Sequence, residues 1–341
     1  MGGQGMRDMW WVAASAVVVM LVAPFVLNYY TLTLLIIYGM LALSLALVWG
    51  FGGVLCFGQA AFYGLGAYAY AISAANIGES TIPMILAVAI PFLFAGALGA
   101  MMFYGRLTDV YLGVITLVVT LIFFRFMNTT AGPDYKIGVA RLGGFNGIPG
   151  YQTLNVPGDP GAYIYDSSLY YVAFATLILV YVLVRLLLAS PFGRIAVAIR
   201  ENETRVDLMG YDARLRKTIL FAIGGAIAGL AGALYASWAE IVTPGLFSLG
   251  QSAEIIIWCI VGGLGTLVGP VLGAAALGYL KFALGQQTTI DNQLIMGLIL
   301  VLVVLVLPRG VVPTLMMLFG RFSRGRRPAR RRRPSGARAD G

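Results

Sequence analysis

Residues 190–217 read SPFGRIAVAIRENETRVDLMGYDARLRK, a stretch with six basic and four acidic side chains set between the apolar runs 169–188 and 218–238. A segment this charged cannot lie in hydrocarbon, so it sits in water and the runs on either side cross a membrane. Arg200, Glu201, Asn202, Glu203 and Arg205, followed by Asp207, Leu208 and Met209, read as a short surface helix that stops at Gly210, a residue able to cap it. The expectation is a docking element on the membrane surface.

Composition extends that reading to the whole chain. Of 341 residues, 60% are hydrophobic and only 11% charged, whereas a soluble domain carries about 25% charged residues. The sequence is therefore that of an all-α, polytopic membrane protein. Its net charge of +9 is confined to residues 309–341, which hold ten arginines and one aspartate; residues 1–308 are neutral overall. This tail is expected to be disordered and to lie against anionic lipid on the cytoplasmic side, without nucleic-acid binding.

Catalytic chemistry has little raw material. The chain contains no histidine, its two cysteines, Cys56 and Cys259, lie in apolar runs, and it carries no G-x-S-x-G, H-E-x-x-H or G-x-x-x-x-G-K-[ST]. No catalytic residue, metal site or cofactor is expected, and any ATP-driven step belongs to another chain.

Ten candidate spans follow from the requirement for about 20 apolar residues per crossing. They are 10–27, 31–49, 56–75, 82–104 with Pro91 inside, 111–127, 169–188, 218–238, two short segments within 252–284, and 292–307. The third, CFGQAAFYGLGAYAYAI, places Gly58, Gly64 and Gly66 where helix backbones approach closely. Residues 252–284 are too long for one crossing and are interrupted by Gly262, Gly263, Gly265, Gly269 and Pro270. They read as two crossings or as a re-entrant pair beside eight full crossings, and broken helices at membrane depth line cavities or protein. Pathway candidates are accordingly Gly58, Gln59, Glu254, Gly262, Gly263, Gly265 and Gly269. Glu254 and Lys281 both fall toward the outer side and are able to pair, and Arg125 is expected to snorkel to the headgroups. With both termini and the 190–217 island in the cytoplasm, the 129–168 loop lies outside.

Four stretches resemble the permease subunits of branched-chain amino acid importers and their relatives for urea and short amides. They are GQAAFYGLGAY at 58–68, VYLGVITL at 110–117 with FNGIPG downstream, the island itself, and AEIIIWCIVGGLGTLVGPVLGAA at 253–275. The island also resembles the coupling loop of ABC importer permeases. That resemblance implies a transmembrane permease domain over 1–308 with ABC importer fold in a bacterial plasma membrane. It implies a second permease subunit as heterodimer partner, two cytoplasmic ATPase subunits and an extracytoplasmic substrate-binding protein. It further implies that Arg200, Glu201, Glu203, Arg205, Asp207 and Gly210 couple to the ATPase. Two features depart from the pattern: an insertion separates TAGPDY from NGIPG, and Trp258 looks closer to the urea-type relatives. The alternatives are a urea or short-amide permease and, from another class, a passive channel or scaffold with no ATPase.

Overall fold

The computed structural model describes residues 4–285 together with 297, 298 and 301. Among these the chain is overwhelmingly helical: α1 (Gln4–Val22), α2 (Tyr29–Leu45), α3 (Gln59–Ile77), α4 (Thr81–Tyr104), α5 (Asp109–Thr129), α6 (Asp166–Ala189), α7 (Pro191–Glu201), α8 (Glu203–Leu208), α9 (Ala213–Ala239), α10 (Leu249–Gly262) and α11 (Val268–Gly285). Among the described residues, five helical segments are long and apolar enough to cross a membrane by themselves. Of the span expected at 292–307 only residues 297, 298 and 301 are among the described residues, and the Arg-rich tail at 309–341 lies outside them.

The bundle is built around α2. Its sequence, YYTLTLLIIYGMLALSL, has no polar face, and from Thr31 to Val48 nearly every side chain is buried, enclosed by α6, α9, α10 and α11. A helix apolar all round belongs in the middle of a bundle. At its far end it widens into a π-helical turn, Ala46–Phe51.

Beside it, α3, α4 and α9 pack at very short range because glycine removes the side chains between them. A β-carbon on Gly66 would fall onto the Gly229 carbonyl, and one on Gly232 onto the Tyr63 carbonyl. Helix α4 runs unbroken through Pro91. The Ala87 carbonyl, which Pro91 cannot bond, lies against Gly229.

Several boundaries differ from the sequence reading, each for a local reason. The third span starts at Gln59, since residues 53–58 are non-helical, with Gly53 at φ +70 and with Val54, Cys56 and Gly58 buried. The seventh begins at Ala213, because Asp212 caps it by accepting from the Leu215 amide at 3.0 Å, and so takes the last basic residues of the island into its first turns. The island forms two helices rather than one; Asn202 ends α7 and caps α8 by accepting from Arg205 N. The first helix starts at Gln4 and gives way at Ala23–Phe25, around Pro24, to a 3₁₀ turn.

The long loop is folded onto the bundle. It makes three two-stranded sheets: β1 (Lys136–Ile137) with β2 (Ala140–Arg141), β3 (Ile148–Pro149) with β6 (Ile241–Val242), and β4 (Asn155–Val156) with β5 (Asp159–Tyr163). The β3–β6 pair ties it to the α9–α10 connection. Tyr151 donates to the Ala236 carbonyl at 2.8 Å, and Asn76 at the end of α3 bonds Ile137 O and Val139 N. The two faces of the bundle are therefore distinct. One carries this loop; the other carries the island, the Arg106 turn and the break between α10 and α11.

Candidate coupling site

The island has a small core of its own. Ser190 caps α7 by accepting from Gly193 N, with Pro191 in the first turn where its missing N–H costs nothing. Ile199, Val206 and Ala213 form a satellite core with Ile195 against it. Asp207 accepts from Ala213 N, and Glu203 pairs with Lys217 at 2.5 Å. Gly210 ends α8 at φ +85 with a Schellman arrangement, Gly210 N to Asp207 O and Tyr211 N to Val206 O. Glu201 and Arg205 are exposed. The tip between α8 and α9 is apolar and uncovered: Leu208 is 85% exposed and Met209 66%. A groove of about 230 Å³ lies beside it, lined by Pro191, Arg194, Ile195, Ala198, Val206, Met209 and Tyr211.

Arg200 points the other way, into the bundle. Its Nη1 donates to the Gly50 carbonyl in the π-turn of α2. A π-turn shifts backbone pairing by one residue, as in Gly52 N to Leu47 O, and leaves carbonyls available to such a donor. Gly53 follows at φ +70 with its backbone against the Arg200 stem; a β-carbon there would come within 2.9 Å of Arg200 Cγ. On its other side Gly50 abuts the Leu264 carbonyl, in the break between α10 and α11. Three features that are far apart in sequence, the Gly50–Gly53 turn, the island and the break, thus meet at one point.

The break is a glycine joint. Gly262 and Gly269 face each other so closely that a β-carbon on either would overlap the other's carbonyl, and Gly263 turns the chain at φ +102. Thr266 Oγ1 accepts from Gly269 N to start α11, and Gly265 is exposed with no neighbour within 4 Å. With 14 residues, α10 is about 21 Å long. It is preceded by the irregular stretch 243–248, whose Phe247 packs on Gly64, Tyr68 and Phe123. Irregular backbone is tolerable here because protein surrounds it.

The remaining pathway candidates lie elsewhere. Gln59 is sealed among helices: its Nε2 donates to Ser44 Oγ at 2.9 Å and Gly224 O at 3.2 Å, while Cys56 Sγ donates to its Oε1 at 3.6 Å. All of its hydrogen-bonding capacity toward α2 and α9 is used. Gly58 lies against the Thr116 backbone of α5. Glu254 and Lys281 pair at 2.7 and 2.8 Å, clasping α10 to α11 near the loop face. Arg125 is exposed at the loop end of α5. Trp258 is 1% exposed and packs at a tilt against Tyr38 with ring centres 4.7 Å apart, so packing accounts for it. Sequence reasoning missed the Leu208–Met209–Tyr211 tip and the inward role of Arg200. Bulky apolar side chains inside a charged island were the signal available for the first.

Comparison with known proteins agrees with this architecture. The family model described as "Branched-chain amino acid transport system / permease component" matches residues 28–307. The high-affinity branched-chain amino acid transport system permease protein LivM of Escherichia coli K12 is 29% identical, over 87% of this chain and 74% of its own length. The LivM of Salmonella typhimurium is 27% identical over 82% and 69%, and a probable LivM of Methanocaldococcus jannaschii 25% over 81% and 90%. No solved structure matches.

Proposed function

Since the chain belongs to the family of permease components of branched-chain amino acid transport systems, we propose that it forms the membrane pathway of an ATP-driven importer for leucine, isoleucine and valine. It is a multi-pass membrane transporter component. Hydrolysis would take place on two separate cytoplasmic ATPase subunits, and a second permease subunit would complete the pathway. An extracytoplasmic binding protein would deliver substrate to the 129–168 loop face in a bacterial plasma membrane. Residues 1–308 would then be the transmembrane domain, with the island, both termini and the 309–341 tail in the cytoplasm.

The observation that carries this reading is the two-sided island. Outward, it presents an uncovered apolar tip; inward, Arg200 holds the Gly50 turn that touches the α10–α11 break. Burying Leu208 and Met209 against a partner would stabilise docking by about 1.5–3 kcal/mol each. Glu201 and Arg205, exposed, would contact the ATPase directly, whereas Glu203, Asp207 and Gly210 hold the island's shape. Movement of the docked subunit would displace α7, and with it the break, opening and closing the pathway from the island side. Gly262, Gly263, Gly265 and Gly269 would form its moving joint and Glu254 the clasp near the mouth, while Gly58 and Gln59 would hold the surrounding helices in place behind it.

Two measurements test this together. Cells lacking the gene should lose leucine uptake and keep urea uptake, and Leu208→Asp should abolish copurification of the ATPase without reducing membrane insertion. Retained leucine uptake in the deletion would overturn the substrate, and an unaffected Leu208→Asp complex would overturn the docking surface.

A further inference from the structure

The loop face holds an open cleft of about 530 Å³, a volume in the range of small-molecule sites. Its floor is the last turn of α3, Ala74, Ala75 and Gly78, and one wall is Ile148 and Pro149 of the loop. Two polar side chains enter it. Arg141 is exposed on β2, and the ion pairs among the described residues, Lys217–Glu203 and Lys281–Glu254, leave it uncommitted. Lys136 stands opposite it in the β1–β2 register and adds positive charge to the same rim. Gln152 lines the cleft with its Oε1 buried and without a hydrogen-bond partner. That orphaned oxygen has a consequence. Turning the amide over breaks no bond to Oε1, so Gln152 is free to offer the cleft either its NH₂ or its carbonyl.

The cleft is also firmly placed. The Gln152 carbonyl accepts from Tyr70 Oη at 3.4 Å, and the neighbouring Tyr151 hydroxyl, kept protonated by burial, donates to the Ala236 carbonyl. The walls are thus fixed to α3 and α9, the two helices that cross at Gly66 and Gly229.

We infer that this cleft is a receiving site for a free aliphatic α-amino acid, its carboxylate on Arg141, its ammonium on the turned Gln152 carbonyl, and its side chain on Ala75, Ile148 and Pro149. This rests on the amino acid permease reading and adds to it a binding site on the chain itself, separate from any receptor protein. A ligand with a carboxylate, an ammonium and a branched apolar end uses all three features of the cleft; urea uses neither the charge nor the apolar wall.

The full-length chain in lipid nanodiscs, titrated calorimetrically with L-leucine in the absence of any binding protein, tests the inference. Leucine should bind saturably, leucinamide and urea should not, and Arg141→Gln should weaken leucine by about tenfold or more, the loss of one charge-assisted contact. Gln152→Leu should erase the preference for leucine over 4-methylpentanoate, which lacks the ammonium. Ala75→Trp, filling the floor, should abolish binding. Thermal melting of each variant confirms that it is folded. If leucine does not bind, or binds Arg141→Gln and Ala75→Trp as it binds the parent, the site is wrong. Leucine uptake lost on gene deletion would then leave the permease reading standing, whereas uptake that survives deletion removes that reading whatever the calorimetry shows.

Discussion

Replacing Gly53 by alanine puts a methyl group into the joint between the island and the bundle. At φ +70 an alanine is in the left-handed region, at a cost of about 1–2 kcal/mol. The new carbon would also stand 2.9 Å from Arg200 Cγ, 3.1 Å from its Cβ and 3.3 Å from its Cα. Because two of these atoms lie at the base of the side chain, Arg200 cannot swing clear, and α7 must back away by a few tenths of an ångström. Overpacking of this kind adds about 1–3 kcal/mol. Arg200→Ala relieves the closest of the three contacts but loses a charge-assisted hydrogen bond to Gly50 O, worth about 1 kcal/mol in this partly exposed place. The two changes should therefore be non-additive, with the double variant better than the sum by about 1 kcal/mol. The assay is leucine uptake and ATP hydrolysis by the assembled transporter in proteoliposomes. Gly53→Ala should keep hydrolysis and lose about tenfold or more in uptake per ATP, with partial recovery in Gly53→Ala/Arg200→Ala relative to additivity. Parental coupling in Gly53→Ala, or strict additivity, would refute transmission through this joint.

Other substitutions probe separate layers. Gly66→Val should prevent assembly of the bundle, seen as loss of the monodisperse species in detergent, since the Gly229 backbone occupies the space its side chain would need. A β-carbon on Gly210 meets no atom within 4 Å, so Gly210→Val is opposed chiefly by backbone strain of about 1–2 kcal/mol; membrane insertion should survive while ATPase copurification weakens, and Gly210→Asn should behave as the parent. Glu254→Gln leaves Lys281 without its carboxylate and should lower thermal stability by about 1–3 kcal/mol, whereas Glu254→Gln/Lys281→Met should recover most of it. A double variant no more stable than the single would mean that the pair does not clasp the two helices.

Sequence alone revealed the features governed by composition and by glycine. The charged island, the break after Gly262 and the capping glycine at 210 follow from local chemistry and lie where their residues place them, and the apolar spans among the described residues form helices with shifted ends. What was not legible depends on distant partners. Nothing near Arg200 says that its guanidinium reaches Gly50, 150 positions away, because that bond exists only once α2 widens into its π-turn. Gln59 reads equally well as a pathway residue or a packing residue; its bonds to Ser44 and Gly224 become visible only when three helices are assembled. The start of α9 is not legible because Asp212, a capping residue, is hidden in a run of charges whose composition places all of it in water.

The uniform apolarity of α2 bears on the order in which the protein is made. Its enclosing partners α6, α9, α10 and α11 all follow it along the chain, so during synthesis this helix waits in lipid before anything surrounds it. It waits at little cost, since Thr33 and Ser44 bond the carbonyls of their own helix, Tyr29 O at 2.8 Å and Leu41 O at 2.6 Å. Exchanging lipid for protein around such a rod releases little hydrophobic energy. Its final rotation must therefore be fixed by the few places where shape or polarity breaks the uniformity: Gly39 under Val271, Ser44 under Gln59, and Gly50 under Leu264. These three positions index the helix like notches on a key, and a defect in any of them should trap a late, inserted but unassembled intermediate rather than block insertion itself.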